Sequence, residues 1–185
     1  MDTDIKSFNT INVVDSCSIW NIMSSILLLT ASMQAKCFLS ITKFVEYECL
    51  YKPRKDILKT EEDLKSKLND LLIKKEISCY SLSISDLQEV ELLNSRKKLG
   101  LGELSSIAFA KSTNQCFLTD DQKARKLAKE VLGKNMVQTT PHLLGWLLAN
   151  YFLSENDLDL IIKEHNYNKR PLEPYFRAIH PMSLT

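Results

Sequence analysis

The feature of this sequence that most constrains its fold is a short apolar run that ends in acidic residues and continues into a helix. Residues 116–118 (CFL) form the run, and Thr119, Asp120 and Asp121 follow directly. Residues 123–132 then repeat apolar side chains at helical spacing. In α/β folds, acids between a strand and a helix lie at the carboxyl edge of the sheet, where ligands bind. Helix capping by Thr119 or Asp120 is the alternative explanation.

Strand-like and helix-like patterns alternate along the rest of the chain. This alternation predicts a three-layer α/β/α fold, with a parallel sheet of about four or five strands covered on both faces and further helices at the C-terminus. The predicted strands are 11–15, 36–41, 77–82, 116–118 and 136–138. The predicted helices are 16–33, 42–51, 60–76, 85–99, 103–111, 123–132, one that starts at 140, and 154–165, before a tail that contains prolines.

Length and composition predict one domain, and the helical patterns near its end predict a helical extension of about 147–185. The chain has 185 residues, of which 44% are hydrophobic and 25% are charged, as in ordinary globular proteins. Its net charge is +1, so nucleic-acid binding would depend on local basic patches. The five cysteines are scattered without a CxxC pattern, which argues against a zinc site and favours reduced thiols in the cytoplasm.

The most apolar window, residues 19–33, contains an asparagine and several serines. It is shorter than the ~20 residues that a membrane span requires. The N-terminus is acidic and does not resemble a secretory signal. We therefore expect a cytoplasmic protein without membrane contact.

Carboxylates recur at comparable places in the predicted fold. Because parallel strands share one direction, Asp15 and the Asp120–Asp121 pair should lie at the same edge of the sheet, and Glu103 can face that edge. Clustered carboxylates repel one another unless a cation neutralises them, and oxygen ligands suit Mg²⁺ or Mn²⁺. The predicted metal ligands are Asp15, Glu103, Asp120 and Asp121.

The predicted helix 42–51, which follows the second strand, contains two acids, Glu46 and Glu48. Glu48 leans toward the packed face of its helix, which favours it over Glu46 as a further member of the carboxylate cluster. Each acid also has a structural explanation when taken alone. Asp15 could cap the first helix, Glu103 could interact with a helix dipole, and Glu46 and Glu48 could be solvated.

The chain contains, in this order, a strand followed by Asp, a helix containing Glu, the segment GLGELSSIAFA (100–110) and the segment LTDDQKAR (118–125). This arrangement resembles the PIN-domain nuclease family. The glycine-Glu and Thr-Asp-Asp motifs resemble a toxin-like branch of that family, and the resemblance covers roughly residues 11–146. It implies a parallel sheet flanked by helices. It also implies three or four acids that bind divalent metal and cut RNA.

The resemblance assigns roles to individual residues. It matches Asp15 to the first catalytic acid, Glu103 to the third and Asp121 to the fourth, with Asp120 as an extra or alternative ligand. Glu48, favoured over Glu46, is the second catalytic acid. Ser16 and Thr119 match small hydroxyl positions that can assist metal or water.

Basic residues occur close to the acids in sequence. Arg54 follows Glu48, Lys97 and Lys98 precede Glu103, and Arg125 follows Asp121. Since an acidic centre repels phosphate, we expect these cations to hold the RNA backbone. The alternative roles of Arg125 are an ordinary salt bridge and packing of its aliphatic stem along its own helix.

The sequence thus predicts a Mg²⁺- or Mn²⁺-dependent endoribonuclease acting on single-stranded or loop RNA. Two alternatives stay open, a catalytically inactive PIN-like binding or scaffold protein and a toxin controlled by a protein antitoxin. A homodimer or another protein partner also stays open.

Overall fold

A fully parallel sheet forms the centre of the protein. The computed structural model describes residues 6–53 and 58–183. The strands are β1 (Ile11–Val14), β2 (Phe38–Thr42), β3 (Ser78–Tyr80), β4 (Cys116–Leu118) and β5 (Val137–Gln138). They form a five-stranded sheet in the order β3-β2-β1-β4-β5, and each pair of neighbours is parallel.

Helices connect the strands and extend beyond the last one. They are α1 (Ser16–Met23), α2 (Ile26–Gln34), α3 (Lys43–Glu46), α4 (Lys59–Ile73), α5 (Ile84–Arg96), α6 (Leu101–Thr113), α7 (Gln122–Leu132), α8 (Thr140–Ala149), α9 (Glu155–Tyr167) and α10 (Glu173–Ser183). A π-helical turn (Tyr47–Tyr51) continues α3, and a 3₁₀ turn (Lys134–Met136) precedes β5.

The two faces of the sheet carry separate hydrophobic cores, because successive side chains of a strand point to opposite faces. Val14 and Leu118 pack with apolar residues of α1, α2, α4, α8, α9 and α10. Val13 and Phe117 pack with apolar residues of α5, α6 and α7. The predicted three-layer α/β/α architecture with C-terminal helices is therefore confirmed.

The predicted helix over 16–33 is wrong, because two serines divide it into α1 and α2. The Ser24 hydroxyl donates back to the Trp20 carbonyl at the end of α1, and the Ser25 side chain accepts the Leu28 N–H at the start of α2. The axes of α1 and α2 differ by 100°. In the described ranges, no single helix has the length and apolar character needed to cross a membrane, and this bent pair meets the criterion only when both helices are taken together.

The capping residues of α5 and α8 precede the helix starts predicted at 85 and 140. The capping box of α5 is formed by Ser83 and Asp86, since the Ser83 hydroxyl accepts the Asp86 N–H and the Asp86 carboxylate accepts the Ser83 N–H. Thr139 caps α8 by accepting the His142 N–H. The helix α5 therefore begins one residue before its predicted start, and α8 begins at Thr140 as predicted.

The C-terminal tail, which contains prolines, folds into α10 and completes the predicted helical extension. Pro181 lies in the last turn of this helix. Phe176 is fully buried in the core that α8 and α9 share. Its ring contacts the His165 ring edge-to-face, with the ring centroids 4.9 Å apart. The extension is thus packed onto the same core as the sheet.

Replacing Phe176 by alanine should lower the free energy of unfolding by about 3–5 kcal/mol, because it empties a fully buried ring site. Tyr175→Ala is the matched control, since Tyr175 precedes it on α10 and is 51% exposed. Urea unfolding of both variants provides the comparison. Equal losses in the two variants would show that α10 does not pack as described.

Candidate active site

Asp15 lies at the end of β1, between the sheet and the start of α1. Its carboxylate is only 1% exposed, and it caps α1 by accepting the Ser18 N–H at 2.8 Å. Its other oxygen accepts the Thr119 hydroxyl proton at 2.5 Å. Burial raises the pKa of Asp15 to about 7, and these hydrogen bonds only partly oppose the shift.

Thr119 connects the first acid to the acids that follow β4. Val14 pairs with Leu118, so the residues after the two strands emerge side by side. The Thr119 hydroxyl donates to Asp15 and accepts the Asp121 N–H at 3.2 Å. The hydroxyl position predicted from the sequence therefore lies between two of the predicted acids.

Asp121 is the N-cap of α7. One carboxylate oxygen accepts the Ala124 N–H at 2.7 Å, and the other accepts no hydrogen bond from the described residues. The capping explanation is therefore correct for this segment, but the capping residue is Asp121 and not Thr119 or Asp120. One oxygen of Asp121 stays available for a ligand.

Glu48 reaches across from the π-helical turn to the start of α6. It accepts the Gly102 N–H at 3.1 Å and the Ser16 hydroxyl proton at 2.9 Å. A Cβ atom at position 102 would overlap this carboxylate, so the absence of a side chain there permits the approach. Glu46 instead pairs with the exposed Lys43 at 2.6 Å. Of the two candidate acids, Glu48 is the one beside the edge of the sheet.

Glu103 lies in the first turn of α6, close to Glu48 and Asp121. One of its carboxylate oxygens is buried and has no hydrogen-bond partner among the described residues. Burial raises the pKa of Glu103, and the negative charges of Glu48 and Asp121 raise it further. A buried carboxylate oxygen without a donor is a place where a cation would be stabilised.

Both carboxylate oxygens of Asp120 accept hydrogen bonds from other residues. Its oxygens accept the Thr140 N–H at 2.9 Å, the Thr140 hydroxyl at 2.5 Å and the Asn21 amide at 2.8 Å. Its own N–H donates to the Ser18 hydroxyl at 2.8 Å. These bonds join the end of β4 to α1 and α8, and they leave Asp120 less available than Asp121 as a ligand.

The predicted phosphate-binding residues lie in different surroundings. Lys98 is exposed, and the Lys97 ammonium donates to the Lys123 carbonyl at 3.3 Å. Arg125 is half-buried on α7 and makes no salt bridge with a described residue. The salt-bridge explanation for Arg125 therefore finds no support among the described residues. Arg54 lies outside the described residues.

Arg170 is a cation at this edge that sequence reasoning missed. Although Cys17 is an exposed residue, the packing around its thiol raises the thiol pKa, the charges of Asp15, Asp120 and Asp121 raise it further, and the positive charge of Arg170 opposes the rise. Arg170 comes from the connection between α9 and α10, far along the chain from the acids. No local motif marks it, because only the packing of the extension brings it to Cys17.

The donor set suits a hard divalent cation, since it consists of carboxylate and hydroxyl oxygens. The orphaned oxygen of Glu103 and the second oxygen of Asp121 are the members that accept no hydrogen bond from the described residues. In residues 6–53 and 58–183, no three Asp, Glu, His or Cys side chains are close enough together to hold a metal ion. The set therefore fits such an ion in its chemistry, but its acids would have to move closer to surround one.

The chain belongs to the PIN-domain proteins. The family model DUF3368, described as a PIN domain, matches residues 13–136, which include each of the five acids Asp15, Glu48, Glu103, Asp120 and Asp121. PIN domains are generally nucleases and typically use divalent metals. No curated protein and no solved structure matches the chain.

The raised pKa of Asp15 predicts how stability depends on pH in EDTA. Because burial raises this pKa from 3.8 to about 7, Asp15 contributes stability below pH 3.8 that is lost as the pH rises to about 7. The loss amounts to about 4 kcal/mol for the full shift. Asp15→Asn should retain the cap and avoid this loss, so it should be more stable than wild type at pH 8 and lose that advantage near pH 4.

Urea unfolding across this pH range measures the effect, and the exposed Asp70→Asn controls for the removal of one carboxylate. An Asp15→Asn variant less stable than wild type at every pH would show that the cap contributes more than the charge costs.

Proposed function

We propose that this protein is a Mg²⁺- or Mn²⁺-dependent endoribonuclease that hydrolyses single-stranded or loop RNA. The observation that supports the proposal most strongly is the meeting of Asp15, Thr119 and Asp121 with Glu48 and Glu103 at one edge of the sheet. Burial raises the pKa of two of these acids, and perturbed acids are concentrated at functional sites. The family provides the general class, a nuclease-type fold.

Each acid has a specific part in the proposed reaction. Asp15, Glu103 and Asp121 hold the divalent ion, and Glu48 helps to position the start of α6. Asp120 acts mainly by holding α1 and α8 against the end of β4. When bound, a divalent ion supplies Lewis-acid activation of water and neutralises charge on the phosphodiester.

The hydroxyl groups orient the acids. Thr119 holds the buried oxygen of Asp15 and the backbone of Asp121, and Ser16 holds Glu48. Together with the Ser18 and Gly102 N–H groups, these bonds hold both oxygens of Asp15 and of Glu48 in place, while one oxygen of Asp121 accepts no hydrogen bond from the described residues. Lys97, Lys98 and Arg125 would bind phosphates of the RNA strand, which offsets repulsion from the acids.

Purified protein should cleave a mixture of RNAs only when Mg²⁺ or Mn²⁺ is present, and EDTA should stop the reaction. Asp15→Asn, Glu103→Gln and Asp121→Asn should each reduce cleavage by at least a hundredfold, since each removes a charge that holds the ion, on the order of 3 kcal/mol in the transition state. Gel analysis of labelled RNA over time measures the rates.

Glu46→Gln is the matched control for Glu48→Gln, because the two acids lie two residues apart and only Glu48 reaches α6. Loss of activity in Glu48→Gln alone would support the assignment of the second acid. Full cleavage in EDTA would contradict the metal-dependent proposal. Metal-independent RNA binding without any cleavage would favour an inactive binding or scaffold protein. Growth arrest on expression that Asp15→Asn relieves would favour a toxin, together with an antitoxin partner.

A further inference from the structure

A cavity of about 430 Å³ lies beside the acids, at the edge of the sheet that β5 forms. The helices α7 and α10 line it from the two faces of the sheet, and the start of α8 closes one end. Much of its lining, including His142, Leu172, Tyr175 and Ile179, comes from residues beyond the family match at 13–136.

One wall of the cavity is cationic. Arg125 and Lys129 line it from α7, and neither forms a salt bridge with any residue in the described ranges. They follow Asp121 by one and two turns of the helix, or roughly 6 and 12 Å along its axis. Among the described residues of the lining, Asp120 is the one acid, and three hydrogen bonds from Thr140 and Asn21 already satisfy its oxygens.

The opposite wall is apolar and aromatic. Tyr175 is 51% exposed and lines the cavity together with Ile179 of the same helix and with Pro141 of α8. Gln122 and Gln138 add side-chain amides to the lining, and the Gln138 amide already donates to Asn9 and Asn12. A flat apolar ligand portion can therefore contact the Tyr175 ring, with polar groups available at its edge.

We propose that this cavity is a nucleotide subsite for the RNA strand, in which Tyr175 stacks on a base and Arg125 and Lys129 bind the neighbouring phosphates. Single-stranded RNA is bound in this way, with cations along the backbone and aromatic rings against the bases. Two cations one helical turn apart, beside an exposed ring and next to the acids, match that alternation of phosphate and base. This subsite rests on the proposed nuclease function and adds a substrate contact outside the family match.

The test measures binding in the absence of cleavage, with the full-length protein in EDTA and a short fluorescein-labelled single-stranded RNA. Fluorescence anisotropy at several salt concentrations gives the affinity and its salt dependence. The double variant Arg125→Gln/Lys129→Gln should lower the slope of log K against log salt by about 1.4, because each phosphate contact on single strands contributes about 0.7. Tyr175→Ala should weaken binding by roughly fivefold to a hundredfold.

Two controls separate the cavity from general effects. Lys126→Gln removes a positive charge from an exposed position on α7 that does not line the cavity, so its affinity and slope should stay close to those of wild type. Tyr175→Phe keeps the ring and should bind within about twofold of wild type. Thermal melts of every variant establish that each one is folded.

A second double variant, Lys123→Gln/Lys126→Gln, removes two charges of α7 outside the cavity lining. The subsite would be overturned if this variant weakened binding as much as Arg125→Gln/Lys129→Gln does. Unchanged binding by Tyr175→Ala would also overturn it. Metal-dependent cleavage of the same RNA by wild type in that case would leave the proposed nuclease function intact. No binding and no cleavage by wild type would overturn both proposals. Displacement of the RNA by an acidic peptide, with Tyr175→Ala binding RNA normally, would assign the cavity to a protein partner instead.

Discussion

The burial of the Asp15 carboxylate between the ends of β1 and β4 is the constraint on which the rest of the site depends. An ionised carboxylate in such a place is costly unless hydrogen bonds or a cation compensate it. The chain supplies two donors, the Ser18 N–H and the Thr119 hydroxyl, and burial still raises the pKa of Asp15 to about 7. A bound cation would remove the remaining cost of burying the ionised carboxylate. The free energy that the metal-free protein loses in this way would then contribute to its affinity for the ion.

The start of α6 also has to accommodate closely placed carboxylates. Gly100 and Gly102 leave room for the carboxylates of Glu103 and Glu48, which would otherwise collide with a Cβ atom. Glu48 accepts the Gly102 N–H, a favourable contact at the positive end of the helix dipole, while an oxygen of Glu103 keeps no partner among the described residues. Acids from separate elements are thus held close together by helix ends and hydroxyl groups rather than by basic side chains.

Local patterns predicted the strands, the parallel sheet and the acids at its edge, because strand periodicity and strand-to-helix acids depend on neighbouring residues alone. They failed where packing decides. The break between α1 and α2 depends on Ser24 and Ser25, and the burial of Phe176 against the core has no local signal. The contacts of Asp120 with α1 and α8, and the approach of Arg170 to Cys17, join segments distant in sequence and have no local signal.

The central claim, that these acids form a divalent-metal site, is tested most directly by thermal melts of wild type and Asp15→Asn with and without Mn²⁺. An ion that binds only the folded protein stabilises it by about 2.7 kcal/mol at a hundred times its dissociation constant. We expect Mn²⁺ to raise the melting temperature of wild type and to leave that of Asp15→Asn unchanged. Equal increases in both proteins, or no increase in wild type, would contradict the assignment of this site.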